Sequence, residues 1–176
     1  MQNEFENITS DILDHPLFLE TRFLMHHGNG NTVYDHSLST AITAYSISKK
    51  LGLSEEMIKS TTRAALLHDF FGYDWHEDWF KNYLSQYSGW QRFKRMHAFI
   101  HGDIAAERAK EHFNLTDRQL KAIKSHMFPV CFSVPTNCEA WIVTLSDKIV
   151  ASRELSQTVA SYFTNMYKKL KTVASK

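Results

Sequence analysis

Hydrophobic residues recur at intervals of three and four along most of the chain, which is the spacing of one face of an α-helix. Between residues 34 and 51, for example, one predicted inward face would carry Ala41, Ala44, Tyr45, Ile47, Ser48 and Leu51. The pattern predicts helices over residues 8–25, 34–51, 54–69, 102–113, 116–126 and 138–170, a shorter helix inside 74–87, and a candidate break at 152–156.

Residues that favour helix ends stand at the borders of these segments. Ser54 precedes two glutamates, and Thr116 opens a capping-box sequence, so both are predicted N-caps. Gly52 is placed to end the helix before it, and Thr9 or Ser10 is the candidate cap of the first helix. These residues support the borders that the hydrophobic pattern gives.

Strand-like alternation is weak throughout the sequence. Residues 130–134 are the only candidate, and they are few and flanked by prolines. We therefore predict an all-α fold, a single compact helical bundle without internal repeats or linkers.

The composition excludes several classes of protein. With 176 residues, 43% hydrophobic content and a net charge of +1, the chain suits one globular domain and lacks the basic excess of a nucleic-acid-polymer binder. The first residues are acidic and polar, unlike a signal peptide, and no apolar run approaches the roughly 20 residues of a membrane span. Cys131 and Cys138 form no disulfide framework. We expect a reducing, cytoplasmic setting and no membrane partner.

His68 and Asp69 stand side by side at the end of an apolar helical run, where neither belongs unless it is paired or bound. Further histidines and an aspartate, each flanked by helix-core residues, could join them around a metal ion: His36, His101, His126 and Asp147. Any one of these histidines alone is more often a hydrogen-bonded core residue. The ordered set favours a metal site, and its nitrogen and carboxylate donors suit iron, manganese or zinc better than calcium.

The number of candidate ligands favours two metal ions. His36, His68, Asp69 and Asp147 would fill one site and leave positions open for water or substrate. A second site would hold Asp69 as a bridge, together with the histidines at 101 and 126. Two ions a few ångströms apart can lower the pKa of a shared water.

This ordered set resembles the HD-domain superfamily of metal-dependent phosphohydrolases. The resemblance covers about residues 27–151 and is carried by five motifs: Tyr34-Asp35-His36-Ser37, Ala65-Leu66-Leu67-His68-Asp69-Phe70-Phe71, His97 to His101, Ser125-His126-Met127 and Leu145-Ser146-Asp147-Lys148. It implies a single HD domain over 1–176, with a metal-binding core at 27–151 and a C-terminal helix at 152–176. The detail is most similar to small bacterial HD-domain proteins.

The resemblance also implies roles for particular residues. His36, His68, Asp69 and Asp147 match the four common ligands, and His101 and His126 match the additional pair of binuclear members. His97 competes with His101, which is preferred because it is expected to open a helix. The implied catalytic residues are Asp69, Lys148 and His97. Arg63, Arg92 and Arg95 are weaker candidates for binding phosphate.

The implied activity is hydrolysis of a small phosphate ester, such as a nucleotide, by a metal-activated water. The implied cofactor is a divalent transition metal, two ions of iron, manganese or zinc, with magnesium or nickel as further occupants in a crystal. A di-iron oxygenase of the myo-inositol oxygenase type has the same ligand set, and a non-catalytic nucleotide sensor is a third alternative. A homodimer also stays open.

Overall fold

The computed structural model describes residues 2–26 and 31–174, and it shows the predicted all-α architecture. In chain order the helices are α1 (Gln2–Leu13), α2 (Pro16–Leu19), a 3-10 turn (Glu20–Phe23), α3 (Val33–Lys50), α4 (Glu55–Leu67), α5 (Asp78–Ser85), α6 (Gly89–Lys94), α7 (His97–His112), α8 (Asp117–Ser125) and α9 (Cys138–Ala174). The described part of the chain has no strand, only an isolated bridge between Met25 and Thr32. The predicted loop at 26–31 and the end of the predicted C-terminal helix fall partly outside these residues.

Side-chain caps fix the starts of three of the helices that form the bundle. The Ser54 hydroxyl accepts the Met57 N–H at the start of α4, as predicted. Thr116 forms the predicted capping box of α8. Thr32 forms a second capping box, with Asp35, at the start of α3. These bonds set where α3, α4 and α8 begin.

The predicted helix over 8–25 is wrong in its extent. The chain breaks after Leu13, and Pro16 begins α2, because proline fits the first helical position but cannot continue a helix. Thr9 is not a cap. It lies inside α1, where its hydroxyl donates to the Phe5 carbonyl at 2.8 Å.

Two other predicted borders change. α7 begins at His97 rather than at 102, with Met96 as a cap that makes no side-chain hydrogen bond. α9 runs without a break through 152–156. The serine at 156 donates to the Arg153 carbonyl, so this polar residue bonds to its own helix instead of interrupting it.

Helix α4 is the central element of the bundle. Every residue from 61 to 71 is buried, and α4 packs against α1, α3, α8 and α9. Burial of side chains such as Leu66 and Leu67 stabilises the fold by about 1.5–3 kcal/mol each. The end of α4 therefore brings His68 and Asp69 into the interior.

Candidate metal centre

The six predicted ligands meet at one place in the bundle. They come from five different segments, and each is at most 6% exposed: His36 in α3, His68 and Asp69 at the end of α4, His101 in α7, His126 after α8 and Asp147 in α9. Residues this polar are seldom so deeply buried without a partner of opposite charge.

The two carboxylate oxygens of Asp69 face different histidines. Oδ2 lies 3.4 Å from His68 Nε2 and 3.9 Å from His36 Nε2. Oδ1 lies 3.3 Å from His101 Nε2 and 3.4 Å from His126 Nε2. Asp69 therefore stands between two sets of donors, as a carboxylate bridge between two ions would.

Asp147 joins only one of these sets. Its Oδ1 lies 3.2 Å from His36 Nε2 and 3.8 Å from His68 Nε2. Its Oδ2 accepts a hydrogen bond from Lys148 Nζ at 2.7 Å. We define the first site as His36, His68, Asp147 and Asp69 Oδ2, and the second site as His101, His126 and Asp69 Oδ1.

The other ring nitrogen of each histidine is held in place. The Nδ1 atoms of His68, His101 and His126 lie 2.7–2.8 Å from the carbonyl oxygens of residues 65, 97 and 123. A carbonyl only accepts hydrogen bonds, so each Nδ1 carries the proton and each Nε2 presents a lone pair. His36 Nδ1 lies 3.1–3.2 Å from the carboxylate of Glu154. Such outward hydrogen bonds are the usual way in which proteins orient metal-binding histidines.

The donors fit a divalent metal. His101 Nε2 and His126 Nε2 are 2.8 Å apart, although both are lone-pair atoms in the tautomer that the carbonyls impose. His68 Nε2 is fully buried and has no hydrogen-bond partner among the described residues. A cation bound between them would give the two facing Nε2 lone pairs a common partner, and a cation beside His68 would give its Nε2 a partner as well. Imidazole nitrogens with carboxylate oxygens suit transition metals.

Electrostatics also favour positive charge here. Burial opposes the charged forms of Asp69 and Asp147, yet the surrounding histidines hold the pKa of both carboxyls well below the usual range. Burial likewise opposes a charged His36, but Asp147 and Glu154 outweigh it and raise the pKa of His36 to about 10. Burial lowers the pKa of His68 to about 3. The two buried carboxylates are therefore ionised. Each needs a positive charge beside it, from a protonated histidine or from a metal ion.

Sequence reasoning missed two residues of the cluster. His26 Nε2 lies 3.2 Å from Asp69 Oδ2, and Glu154 contacts His36. Glu154 lies seven residues after Asp147, two turns along the same face of α9, so helical spacing could have found it. His26 lies beside a glycine- and asparagine-rich segment and offers no periodic signal.

The predicted catalytic residues His97 and Lys148 lie next to the ligands. The His97 ring stacks on that of His101 at 4.5 Å between centroids, and its Nδ1 is 3.0 Å from the Tyr73 hydroxyl. His101 does not open the helix as expected, because His97 does so, but His101 is the one whose Nε2 faces Asp69. Lys148 Nζ also donates to the carbonyl of residue 126 at 3.3 Å.

Two of the three arginines suggested for phosphate are engaged elsewhere. The Arg63 guanidinium is buried and binds the Asp11 carboxylate and the carbonyl of residue 8. Arg95 donates to the carbonyl of residue 91 and lies over the Tyr87 ring. Arg92 lies exposed on α6. Arg63 in particular forms a structural ion pair with Asp11 and does not face the site.

Comparison with known families places this chain in a class. The sequence model of the HD domain matches residues 33–152, about two thirds of the chain, and this range contains all six predicted ligands. The chain belongs to the HD domain family, the superfamily of metal-dependent phosphohydrolases. Searches of curated proteins and of solved structures found no match.

Among the described residues, no helix combines the length and apolar character needed to cross a membrane. The extent of the domain over 1–176 stays a prediction.

Proposed function

We propose that this protein hydrolyses a small phosphate ester at a centre of two divalent transition-metal ions. The observation that carries the proposal is the division of the Asp69 carboxylate between two sets of donors, with Oδ2 toward the first site and Oδ1 toward the second. A carboxylate with both oxygens so placed can hold two ions close together. When bound, two such ions would lower the pKa of a shared water and polarise a phosphate oxygen.

Lys148 is the residue that we propose for binding the phosphate. Its ammonium group touches Asp147 of the first site and the carbonyl of His126 of the second. The side chain is 39% exposed, so it lies at the border between the ligands and solvent. An ammonium group there would neutralise part of a phosphate's charge and orient the ester over both sites.

His97 is proposed to support the second site. Its carbonyl fixes the tautomer of His101, and its ring covers the ring of His101. The Tyr73 hydroxyl holds His97 in turn, and Trp75 stacks on the other side at 5.1 Å. This aromatic group would exclude water from one side of the centre. We further propose that the substrate is a small molecule of the cytoplasm.

Metal content and phosphate release test the proposal together. The full chain, purified without chelator, is expected to carry about two transition-metal ions, and Asp69→Ala is expected to lose them. Chelated protein, reloaded with Mn²⁺, Fe²⁺ or Zn²⁺, is then assayed for phosphate release from nucleotides, sugar phosphates and aryl phosphates. The Asp69→Ala variant should release no phosphate from any of these substrates.

Asp103→Ala is the matched control, because Asp103 is an exposed aspartate on α7 outside both sites. It should keep the metal and the activity. Metal-free wild-type protein would contradict the centre itself. Two bound iron ions with oxygen consumption and no phosphate release would contradict the hydrolase and favour the oxygenase.

A further inference from the structure

His26 approaches the bridging carboxylate more closely than the first-site histidines do. It lies between the 3-10 turn and α3 and is only 7% exposed. Its Nε2 is 3.2 Å from Asp69 Oδ2, whereas the Nε2 atoms of His68 and His36 are at 3.4 and 3.9 Å. The ring therefore lies among the donors of the first site.

The Glu154 carboxylate that holds His36 lies beside His26 as well, at a longer distance. The Nδ1 atoms of the two rings lie 3.5 and 3.1 Å from the same oxygen, Glu154 Oε2. The rings are stacked, with centroids 3.7 Å apart and planes 19° apart. Two near-parallel rings with Nδ1 at one carboxylate point their Nε2 atoms in one direction, which here is toward Asp69. This is how metal-binding histidines are presented.

We propose that His26 is a fifth imidazole ligand of the metal centre and belongs to the first site. The inference rests on the proposed two-metal function. His26, His36 and Asp69 each offer a donor atom within 4.8 Å of the others, a spacing that one ion could span.

The added ligand makes the two sites unequal. The first site then has five protein donors, and the second has three. Because transition metals in such sites take about four to six donors, most positions for water and phosphate are left at the second site.

An ion-pairing role for His26 would place its ring at similar distances from Asp69 and Glu154. Its ring lies between the carboxylates of Asp69 and Glu154, so it could instead be a cation that pairs with both. A metal ligand must be neutral at Nε2 and must contact the ion, whereas an ion-pairing ring carries protons on both nitrogens and does not. The two roles therefore predict different numbers of metal-bound imidazoles.

Proton NMR of the Co²⁺-loaded full chain counts the imidazoles bound to metal. A histidine bound to Co²⁺ through Nε2 shows its Nδ1 proton as a strongly shifted resonance that disappears in D₂O. We expect five such resonances in the wild type, four in His26→Gln and five in the control His112→Gln, whose side chain is exposed at the end of α7.

The count in the wild type decides the matter even if His26→Gln fails to fold. Four resonances, with two Co²⁺ ions bound, would overturn the role of His26 and leave the two-metal centre intact. Wild-type protein that binds no Co²⁺ would overturn the proposed function as well. Loss of one resonance in His26→Gln, with circular dichroism unchanged, would support the assignment.

Discussion

The outward-facing nitrogen of each cluster histidine determines what its inward nitrogen can do. At His68, His101 and His126 a backbone carbonyl accepts a hydrogen bond from Nδ1–H, and at His36 the Glu154 carboxylate lies in the corresponding place. The Nε2 lone pairs of His68, His101 and His126 are consequently directed inward by the protein's own hydrogen bonds. The donors are thus oriented before any ion binds.

Lys148→Met tests the residue proposed to bind phosphate. The change keeps the length of the side chain and removes its charge. We expect kcat/KM for phosphate release to fall roughly 30-fold, which corresponds to a lost charged hydrogen bond of about 2 kcal/mol. Metal content should stay near two ions per chain.

Lys124→Met is the control for that change, because Lys124 pairs with the exposed Glu107 on the surface. It should leave kcat/KM unchanged. An equal loss in both variants, or a loss of metal in Lys148→Met, would show that Lys148 does not act on the substrate.

At the scale of the elements, α7 and α8 approach closely beside the second site. A Cβ added at Gly102 would lie 3.1 and 3.3 Å from the carbonyl oxygens of residues 124 and 123, and 3.4 Å from a ring carbon of His126. Glycine thus allows the two helices to bring His101 and His126 together.

Gly102→Ala is expected to weaken the second site. The new methyl group must move α8 by a few tenths of an ångström, so metal content should fall from about two ions toward one. Apo-protein stability should change little, because alanine favours the helix by about 0.5–1 kcal/mol over glycine and offsets the crowding. Asp103→Ala, one residue further along α7, should retain both ions, and equal metal loss there would refute the steric explanation.

The ion pair between Arg118 and Glu139 joins the starts of α8 and α9. The Glu139 side chain is only 2% exposed, and the Arg118 guanidinium binds both of its oxygens, at 2.8 and 2.7 Å. Arg118→Ala leaves this carboxylate buried and unpaired, so we expect a loss of about 2 kcal/mol in unfolding free energy. Urea unfolding measures it, and Lys124→Ala should cost under about 0.5 kcal/mol.

The effect of Arg118→Ala should depend on pH in a defined direction. The Arg118 hydrogen bonds outweigh burial and lower the pKa of Glu139 from its usual value of 4.5. A lowered carboxyl pKa contributes stability above the unfolded value, and that contribution is lost as the pH falls through the folded value. The difference between the variant and the wild type should therefore shrink in acid. A constant difference from pH 7 to pH 3 would rule out this explanation.

The sequence predicted those elements whose signals are local. Ser54 and Thr116 were found because capping residues act within one turn. The start of α7 was missed because Met96 makes no side-chain cap. The ordered histidines and aspartates predicted which residues meet, whereas His26 joins through a contact with Asp69 that spans 43 residues and has no periodic signal.

At the scale of the whole molecule, the proposed metal centre lies where the main helices of the bundle meet. α3, α7 and α9 each supply a proposed ligand, and the segments just after α4 and α8 supply the others. An ion bound there links elements that are distant in sequence. Metal binding should consequently stabilise the whole fold rather than one loop.

Removal of the metal should leave a folded but less stable protein. The donors are already oriented by the protein's own hydrogen bonds, so circular dichroism of the chelated protein should show the same helix content. Reloading at about 1,000 times Kd should stabilise the fold by about 4 kcal/mol, or roughly 10 °C in Tm for a chain of this size. Asp69→Ala should show no such shift. Loss of helix on chelation would indicate that metal binding and folding are coupled.

Two of the proposed ligands also complete the helices that precede them. His68 and His126 follow the last residues of α4 and α8, and their Nδ1 atoms donate to carbonyls of the final turn, at residues 65 and 123. Final-turn carbonyls have no regular partner inside a helix. A chain that replaced either histidine with a residue lacking this donor would fray a helix end as well as lose an ion. During evolution, these two histidines could therefore not be replaced without also weakening the ends of α4 and α8.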